Sequence, residues 1–343
     1  MLPICLSLMN CSSFPEAWKD YKQIFIEEGR VIDTGNKRIS HSEGQGYGML
    51  LSVYFNDEHA FEEMWAWTKQ NLQVRKDHLF SWLWAKGPNG SFEVMDTNNA
   101  TDGDLLIAYS LFQASKQWNN ESYSTIAKDI SKSLRNTVLK KIQNNKYLLL
   151  PAEYGFQNNG LIAFNPSYQI MAAYDALSEL ESPNTWHKIQ EDSLSLIKKS
   201  SNNAYGLPPD WAAVQTHTNG TSPVNPVSPW PDKSFYFGDE AIRVLLYQLW
   251  QQELTVTPHY LFDQYQLSGR ISRYIPQKNN KHNQEAMAGY YAIVGMNAKR
   301  AGKTEIADQL LKKAKKILLK ENNNYYSHTL YLLAISSNHW LAQ

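Results

Sequence analysis

Apolar residues recur with helical spacing along most of this 343-residue chain, in segments that begin about every 20 to 30 residues. Glu16–Glu28 (EAWKDYKQIFIEE) reads as a first helix stopped by Gly29. Further helices are expected from Asn56 or Asp57 to about Leu72, and over 101–118, 121–141, 165–180, 184–200, 237–251, 281–299, 304–319 and 323–337. Asn165-Pro166 supplies a cap and a first-turn proline for the fourth of these. Short strands are expected within 146–164, where Tyr147–Pro151 and Gly155-Phe156 break the rhythm. Residues 75–99 read as mostly loop and 202–233 as a long loop, with a few short strands expected in such connections, and the second is long enough to suggest function. About eleven or twelve helices, with no α/β alternation, linker or clear repeat, give an all-α chain. Alternately short and long connections suit a closed ring of helical hairpins with the long loops gathered at one end.

Three stretches stand out from this rhythm. Ala100-Thr101-Asp102-Gly103-Asp104 opens a helix whose apolar residues run through Leu105, Ile107, Ala108, Leu111, Phe112 and Trp118. Thr101 reads as its N-cap and Asp102 as its first residue, where the helix dipole favours a carboxylate. On these residues alone a well-capped core helix is the better account. Ser42–Gly48 (SEGQGYG) carries three glycines, each costing a helix about 1 kcal/mol. Close approach of another backbone or a ligand would justify them. Their spacing is G-x-G-x-G without a parallel-strand unit, which excludes a dinucleotide fingerprint. Glu43, beside His41 and Tyr47, is a candidate proton donor. Phe237–Val244 (FGDEAIRV) sets Asp239 and Glu240 at a helix start, with Arg243 one turn on to hold a carboxylate.

Composition removes several classes of function. Lys+Arg and Asp+Glu balance at 33 each, so there is no global basic signal for nucleic acid. Both cysteines, Cys5 and Cys11, lie in the first dozen residues, which leaves the body without a disulfide framework or a cysteine zinc site. The nine histidines form no metal-ligand spacing, and no P-loop or nucleophile elbow is present. No metal or cofactor is therefore expected. No apolar run reaches the roughly 20 residues of a membrane span. Residues 1–13 read as the tail of an export signal or a ragged terminus, and 14–343 as one domain. The remaining inventory is acidic stretches, long loops and 13% aromatic residues, which suits glycoside hydrolysis by two placed carboxyls in a sugar cleft.

Read together, these stretches resemble a known family. Ala100–Trp118 is similar to the signature of glycoside hydrolase family 8, A-[ST]-D-[AG]-D-x-x-[IM]-A-x-[SA]-L-x-x-A-x-x-x-[FW], with Phe112 where a smaller aliphatic residue is usual. Ser42–Met49 resembles the family's general-acid motif, Asn165-Pro166-Ser167-Tyr168 its N-P-S-Y segment, and Pro209-Asp210-Trp211 its P-D-W segment. The similarity covers roughly residues 14–250 and continues more faintly. Within the family, Glu28–Asp33 and Trp82-Leu83-Trp84 are most similar to the branch associated with bacterial cellulose synthesis.

The resemblance implies an (α/α)6 barrel with an open cleft, and inverting hydrolysis of β-1,4-glucan by a metal-independent, secreted or periplasmic enzyme. A monomer is expected, associated through this likeness with cellulose synthesis machinery. Xylan, chitosan or mixed-linkage glucan are the alternative substrates, and glycan binding without turnover the alternative function. The resemblance makes Glu43 the acid, gives Asp102 a contact to the sugar next to the scissile bond, and has Tyr168 support that sugar or the attacking water. Trp82, Trp84 and Trp211 are stacking candidates. One segment departs: where the family is expected to read Tyr-Asp-Ala-x-Arg, this chain has Asp239-Glu240-Ala241-Ile242-Arg243. Glu240 takes the position of the base, with Asp239 as its rival.

Overall fold

The computed structural model describes residues 14–142, 145–216, 224–225, 227, 229–275 and 284–337. The expectation about residues 1–13 lies outside them. Among the described residues the chain is mostly helical. Its twelve α-helices are α1 (Phe14–Phe25), α2 (Ser42–Tyr54), α3 (Glu58–Asn71), α4 (Thr101–Gln117), α5 (Glu121–Thr137), α6 (Met171–Leu180), α7 (Pro183–Ser200), α8 (Ile242–Tyr247), α9 (His259–Ser268), α10 (Ala288–Arg300), α11 (Thr304–Leu318) and α12 (Tyr325–Ile335).

The helices fall into two kinds. In α5, Tyr123, Ala127, Ile130 and Leu134 are buried while Lys128 and Lys132 are exposed, and α11 buries Ile306, Ala307, Leu310 and Ala314 in the same one-sided way. The helices between them lack such a stripe. Every residue of α4 from Thr101 to Ala114 is buried, as is every residue of α10 from Ala288 to Ala298. Odd-numbered helices thus give one face to solvent, while even-numbered ones are largely enclosed.

Short antiparallel strands fill the connections. β1 (Ile26–Glu27) and β2 (Arg30–Val31) form a hairpin directly after α1. β3 (Ser40–His41), β4 (Leu83–Lys86) and β5 (Phe92–Asp96) make a three-stranded sheet, and β6 (Leu139–Ile142) pairs with β7 (Lys146–Leu149). β8 (Gln157–Asn158), β9 (Leu161–Phe164), β10 (Ala212–Gln215) and β11 (Val224–Asn225) form a sheet in the order β11-β10-β9-β8.

Several expectations are corrected. Gly29 does not stop α1. It sits at φ +77° in the β1–β2 hairpin, where a side chain would overlap the carbonyl of Glu63. The 75–99 segment is mostly loop around β4 and β5, and the 202–233 loop carries the short strands β10 and β11, too short to announce themselves by alternation. The 165–180 helix is split: Asn165 accepts from the Ser167 N–H at 2.9 Å to cap a single 3-10 turn, Pro166–Tyr168, and α6 starts later. The 237–251 helix begins only at Ile242 and ends as a 3-10 turn, Gln248–Trp250. Thr101 is not the N-cap of α4. Ala100 takes that position, Thr101 Oγ1 donates to the Leu150 carbonyl at 2.6 Å, and Asp102 is the second helical residue.

The glycine-rich stretch is the start of α2, a helix packed closely on α4. A Cβ on Gly46 would fall 2.5 Å from Leu106 Cβ. From the other side, a Cβ on Gly103 would overlap Ser42 Oγ and lie 2.8 Å from the Glu43 nitrogen. Helix propensity is thus given up for a contact that sets Glu43 against Asp102. Gly46→Ala is expected to lose up to about 2 kcal/mol, an overpacking cost of roughly 1–3 less the ~1 that alanine gains in a helix. Urea unfolding of the variant checks this, and a stabilised Gly46→Ala protein would contradict the close contact.

Candidate active site

Glu43 is launched by a strand. Ser40 and His41 pair with Trp84 and Leu83, the Ser42 N–H donates to the Trp82 carbonyl at 3.1 Å, and α2 begins. His41 caps that helix by accepting the Gly44 N–H on Nδ1 at 3.0 Å. That lone pair is therefore occupied, and burial, followed by the charge of Arg243, lowers the His41 pKa to about 4. His41 is neutral, so its 3.7 Å approach to Glu43 Oε2 is not an ion pair. Glu43 Oε1 accepts from Tyr47 OH at 3.0 Å, and Tyr47 OH meets Tyr247 OH at 2.5 Å.

Asp102 is fixed by the anchoring of α4. The Thr101 N–H donates to the Pro151 carbonyl at 2.9 Å. Asp104 takes the Phe80 N–H at 2.9 Å on one oxygen and Asn99 Nδ2 at 2.8 Å on the other. Asp104 is thus a buried tie between α4 and the segment leading into β4. Asp102, itself buried, accepts the Gly103 N–H at 2.9 Å and Arg243 Nη1 at 3.2 Å.

Arg243 gathers the site. Its Nη1 contacts Glu43 Oε1 as well as Asp102, and its Nη2 contacts Glu240 Oε2. Glu240 Oε2 also accepts from Asn165 Nδ2 at 3.1 Å, and no donor meets its Oε1 among the described residues. Asp210 holds the turn before α8 by accepting the Glu240 and Ala241 N–H groups at 3.1 and 2.8 Å. Exposure sorts the carboxylates: the Asp102 side chain is 3% exposed, against 18% for Glu43 and 37% for Glu240. Two carboxyls open to solvent above a third that is enclosed.

Three carboxylates around one guanidinium would leave two negative charges unmatched. Proton uptake relieves this. Burial, and after it the charge of Glu240, raises the Asp102 pKa well above the ordinary range. Burial also lifts Glu240 to about 7, with Asn165 and Lys233 opposing the rise and Asp239 adding to it.

The other expected residues divide. Tyr168 lies with its ring 5.8 Å from the Arg243 guanidinium. Trp211 is buried, stacked on Phe156 at 5.8 Å and covered by Lys233 Nζ at 4.4 Å. Trp82 donates to Asp96 at 2.8 Å, while Trp84 sets its ring edge-on to Trp67 at 5.7 Å. Asp239, one turn from Arg243, pairs with Arg273 instead. Sequence reading passed over Tyr247, which lies on α8 one turn after Arg243, and Arg273, Tyr290 and Tyr326, which come from distant segments with no local motif. Asp210 and Asn165 stood inside the P-D-W and N-P-S-Y segments, which were the available signal.

Known proteins resemble this chain in sequence and fold. Residues 1–339 match the family described as "Glycosyl hydrolases family 8". The chain is 36% identical to an endoglucanase of Cellulomonas uda over 244 residues, which cover 71% of this chain and 64% of that protein. It thus aligns with just under two thirds of that relative's length. It is 37% identical to a probable endoglucanase of Novacetimonas hansenii over 249 residues, 72% of this chain and 70% of the relative. The structure of an endo-β-1,4-glucanase from Acetobacter xylinum superposes with a TM-score of 0.78 at 30% identity, covering 96% of this chain and 99% of that one.

The proton held by Glu240 has a consequence for stability. Folded, the group keeps its proton to about 7, whereas an ordinary glutamate releases it near 4.5. Wild-type stability therefore falls as pH rises between those values, and Glu240→Gln removes the loss. The melting temperature of the variant minus that of the wild type is expected to be larger at pH 8 than at pH 5. An equal or smaller difference at pH 8 would rule out the raised affinity.

Proposed function

The chain belongs to glycosyl hydrolase family 8, and we propose that it hydrolyses internal β-1,4 linkages of a glucan with inversion at the anomeric carbon. The observation that carries this reading is the meeting of Glu43, Asp102 and Glu240 on one buried guanidinium, with only Glu43 and Glu240 open to solvent. The endoglucanase relatives support the choice of glucan. We propose also that the helices form an (α/α)6 barrel. Support comes from contacts of α2 with α4, α4 with α6, α8 with α10, α10 with α12, and α12 with α2, which would close an inner ring of the enclosed helices. The 3-10 turn Pro166–Tyr168 touches both α4 and α8 and would bridge the remaining gap beside α6.

In this reading Glu43 is the general acid. Its Oε1 is occupied by Tyr47 and Arg243, so Oε2 carries the proton delivered to the leaving oxygen. Glu240 is the base. With Oε2 held by Asn165 and Arg243, Oε1 takes a proton from the attacking water as the new C–O bond forms on the opposite face of the sugar. Asp102, too enclosed to take part in proton transfer with solvent, receives the hydroxyls of the distorted sugar together with Tyr168. Trp82 and Trp84 remain candidates for stacking on the flanking sugars, while Trp211 acts through the position of Tyr168, whose ring lies 5.8 Å away. A polymeric substrate supports a site of action outside the cytoplasm.

The test is release of reducing ends from soluble carboxymethylcellulose, with xylan and chitosan as comparison substrates. Glu43→Gln and Glu240→Gln are each expected to lower turnover by about 10²–10⁴-fold while cello-oligosaccharide binding survives. The first-formed product should be the α-anomer by NMR. Because the base must be ionised, wild-type turnover should fall on the acid side with an apparent pKa near 7. Full activity in a folded Glu43→Gln protein would refute the assignment. A wild type that binds these glycans and releases nothing would make it a binding protein.

A further inference from the structure

We propose that Asp239, clamped by Arg273, is a positioning residue that fixes the turn from which Glu240 reaches the attacking water. This rests on the reading of Glu240 as the base.

Asp239 has no oxygen left for a water molecule. Oδ1 accepts from Arg273 Nε at 2.8 Å and Tyr290 OH at 2.6 Å. Oδ2 accepts from Arg273 Nη2 at 2.7 Å and Tyr274 OH at 2.8 Å. Four donors occupy the roughly four lone-pair sites of a carboxylate, and two of them form the bidentate fork that arginine offers. A general base needs one of those sites empty, and Glu240 Oε1 meets that need.

The clamp is anchored widely. Tyr290 lies on α10, and Tyr326 of α12 donates to the Asp239 main-chain carbonyl. Arg273 and Tyr274 belong to a segment whose Ile275 exchanges both backbone hydrogen bonds with Phe237, each 3.0 Å. Arg273 is itself tied by its N–H to the Gln284 carbonyl at 3.0 Å. Asp210 secures the turn from the opposite side through the Glu240 and Ala241 N–H groups. Residues 237–241 are therefore pinned from both flanks. Where the resemblance expects tyrosine, with a single hydroxyl, this chain has a carboxylate and an arginine opposite it.

The experiment compares Asp239→Asn, Asp239→Ala, Arg273→Gln, Asp239→Asn/Arg273→Gln and Glu240→Ala, each checked for folding by thermal unfolding. Loosening the turn is expected to lower kcat about 10–100-fold in Asp239→Asn and in Arg273→Gln, with KM within about twofold of wild type. The double variant should be no worse than the poorer single one, because both remove one interaction. The acid limb of the pH profile should move in opposite directions. Asp239→Asn deletes a negative neighbour of Glu240 and shifts the limb down, while Arg273→Gln leaves that charge unmatched and shifts it up. The other groups around Glu240 (Asp102, Asp210, Lys233, Arg243, Tyr168 and Tyr326) are unchanged throughout. A merely loosened fold would move both limbs the same way.

Sodium azide separates the two acidic residues. In Glu240→Ala it should restore turnover by attacking the anomeric carbon in place of water, forming a C–N bond as Glu43 protonates the departing oxygen and leaving an α-glycosyl azide. No such rescue is expected in Asp239→Ala. Azide rescue of Asp239→Ala, or wild-type kcat in both Asp239→Asn and Arg273→Gln, would overturn the proposal. Wild-type activity in Glu240→Ala would instead overturn the assignment of the base.

Discussion

One buried guanidinium holds the site together. Arg243 leaves α8 and meets carboxylates carried by α2, by α4 and by its own preceding turn. Nothing in such a cluster recommends it as a source of stability. Burying Arg243 with Asp102 costs more than their mutual attraction returns unless every group is satisfied, and Arg243 Nε has no hydrogen-bond partner among the described residues. The packing beneath meets that cost. Gly46 and Gly103 bring α2 and α4 close enough for Glu43 and Asp102 to share one partner. The apolar interiors of α4 and α10 hold the backbone against the repulsion.

The acidic residues around this centre serve two ends, and their unfilled oxygens tell them apart. Asp104 accepts a main-chain N–H and an amide, one on each oxygen, and ties α4 to the segment before β4. Asp239 is filled by four donors. These carboxylates act as crosslinks, shaped like any buried polar group that must be satisfied. Glu43 and Glu240 each keep one oxygen that accepts no hydrogen bond among the described residues, and both reach solvent. Local sequence cannot separate these roles, since Asp239 and Glu240 are neighbours. Only the partners brought from α10, α12 and the 271–275 segment do so.

That explains what could be read from the chain alone. The solvent-facing helices were legible because water on one side writes a stripe into the sequence, clearest in α5 and α11. Enclosed helices carry no stripe, so α8 was expected too early. In α9 the buried residues are Leu261 and Phe262, too few to set a period, and it was passed over. The strands expected within 146–164 are present as β7, β8 and β9, whereas the others were hidden by their length of two to five residues. Glu43 and Asp102 stood in motifs with local meaning, a run of glycines and a helix start. The glycines could be recognised as a close approach, but Leu106 as the neighbour was beyond reach, since the pairing of α2 with α4 is tertiary.

The glutamate at position 240 is best understood through its own turn. It is one methylene longer than aspartate, and a longer arm on a rigid base would carry the carboxyl too far. Here Glu240 and Arg243 are three residues apart, the spacing at which side chains meet on one helical face. Arg243 Nη2 and Asn165 Nδ2 both hold Oε2, which restrains the longer arm. Asp210 and Asp239 fix the main chain on either side, and neither can shorten the arm. The surplus is therefore absorbed within the side chain. In the proposed reading a tethered Oε2 leaves Oε1 for the water, and the partial burial of the carboxyl raises its affinity for a proton. Reach and basicity are set by one arrangement, so altering the turn changes both together.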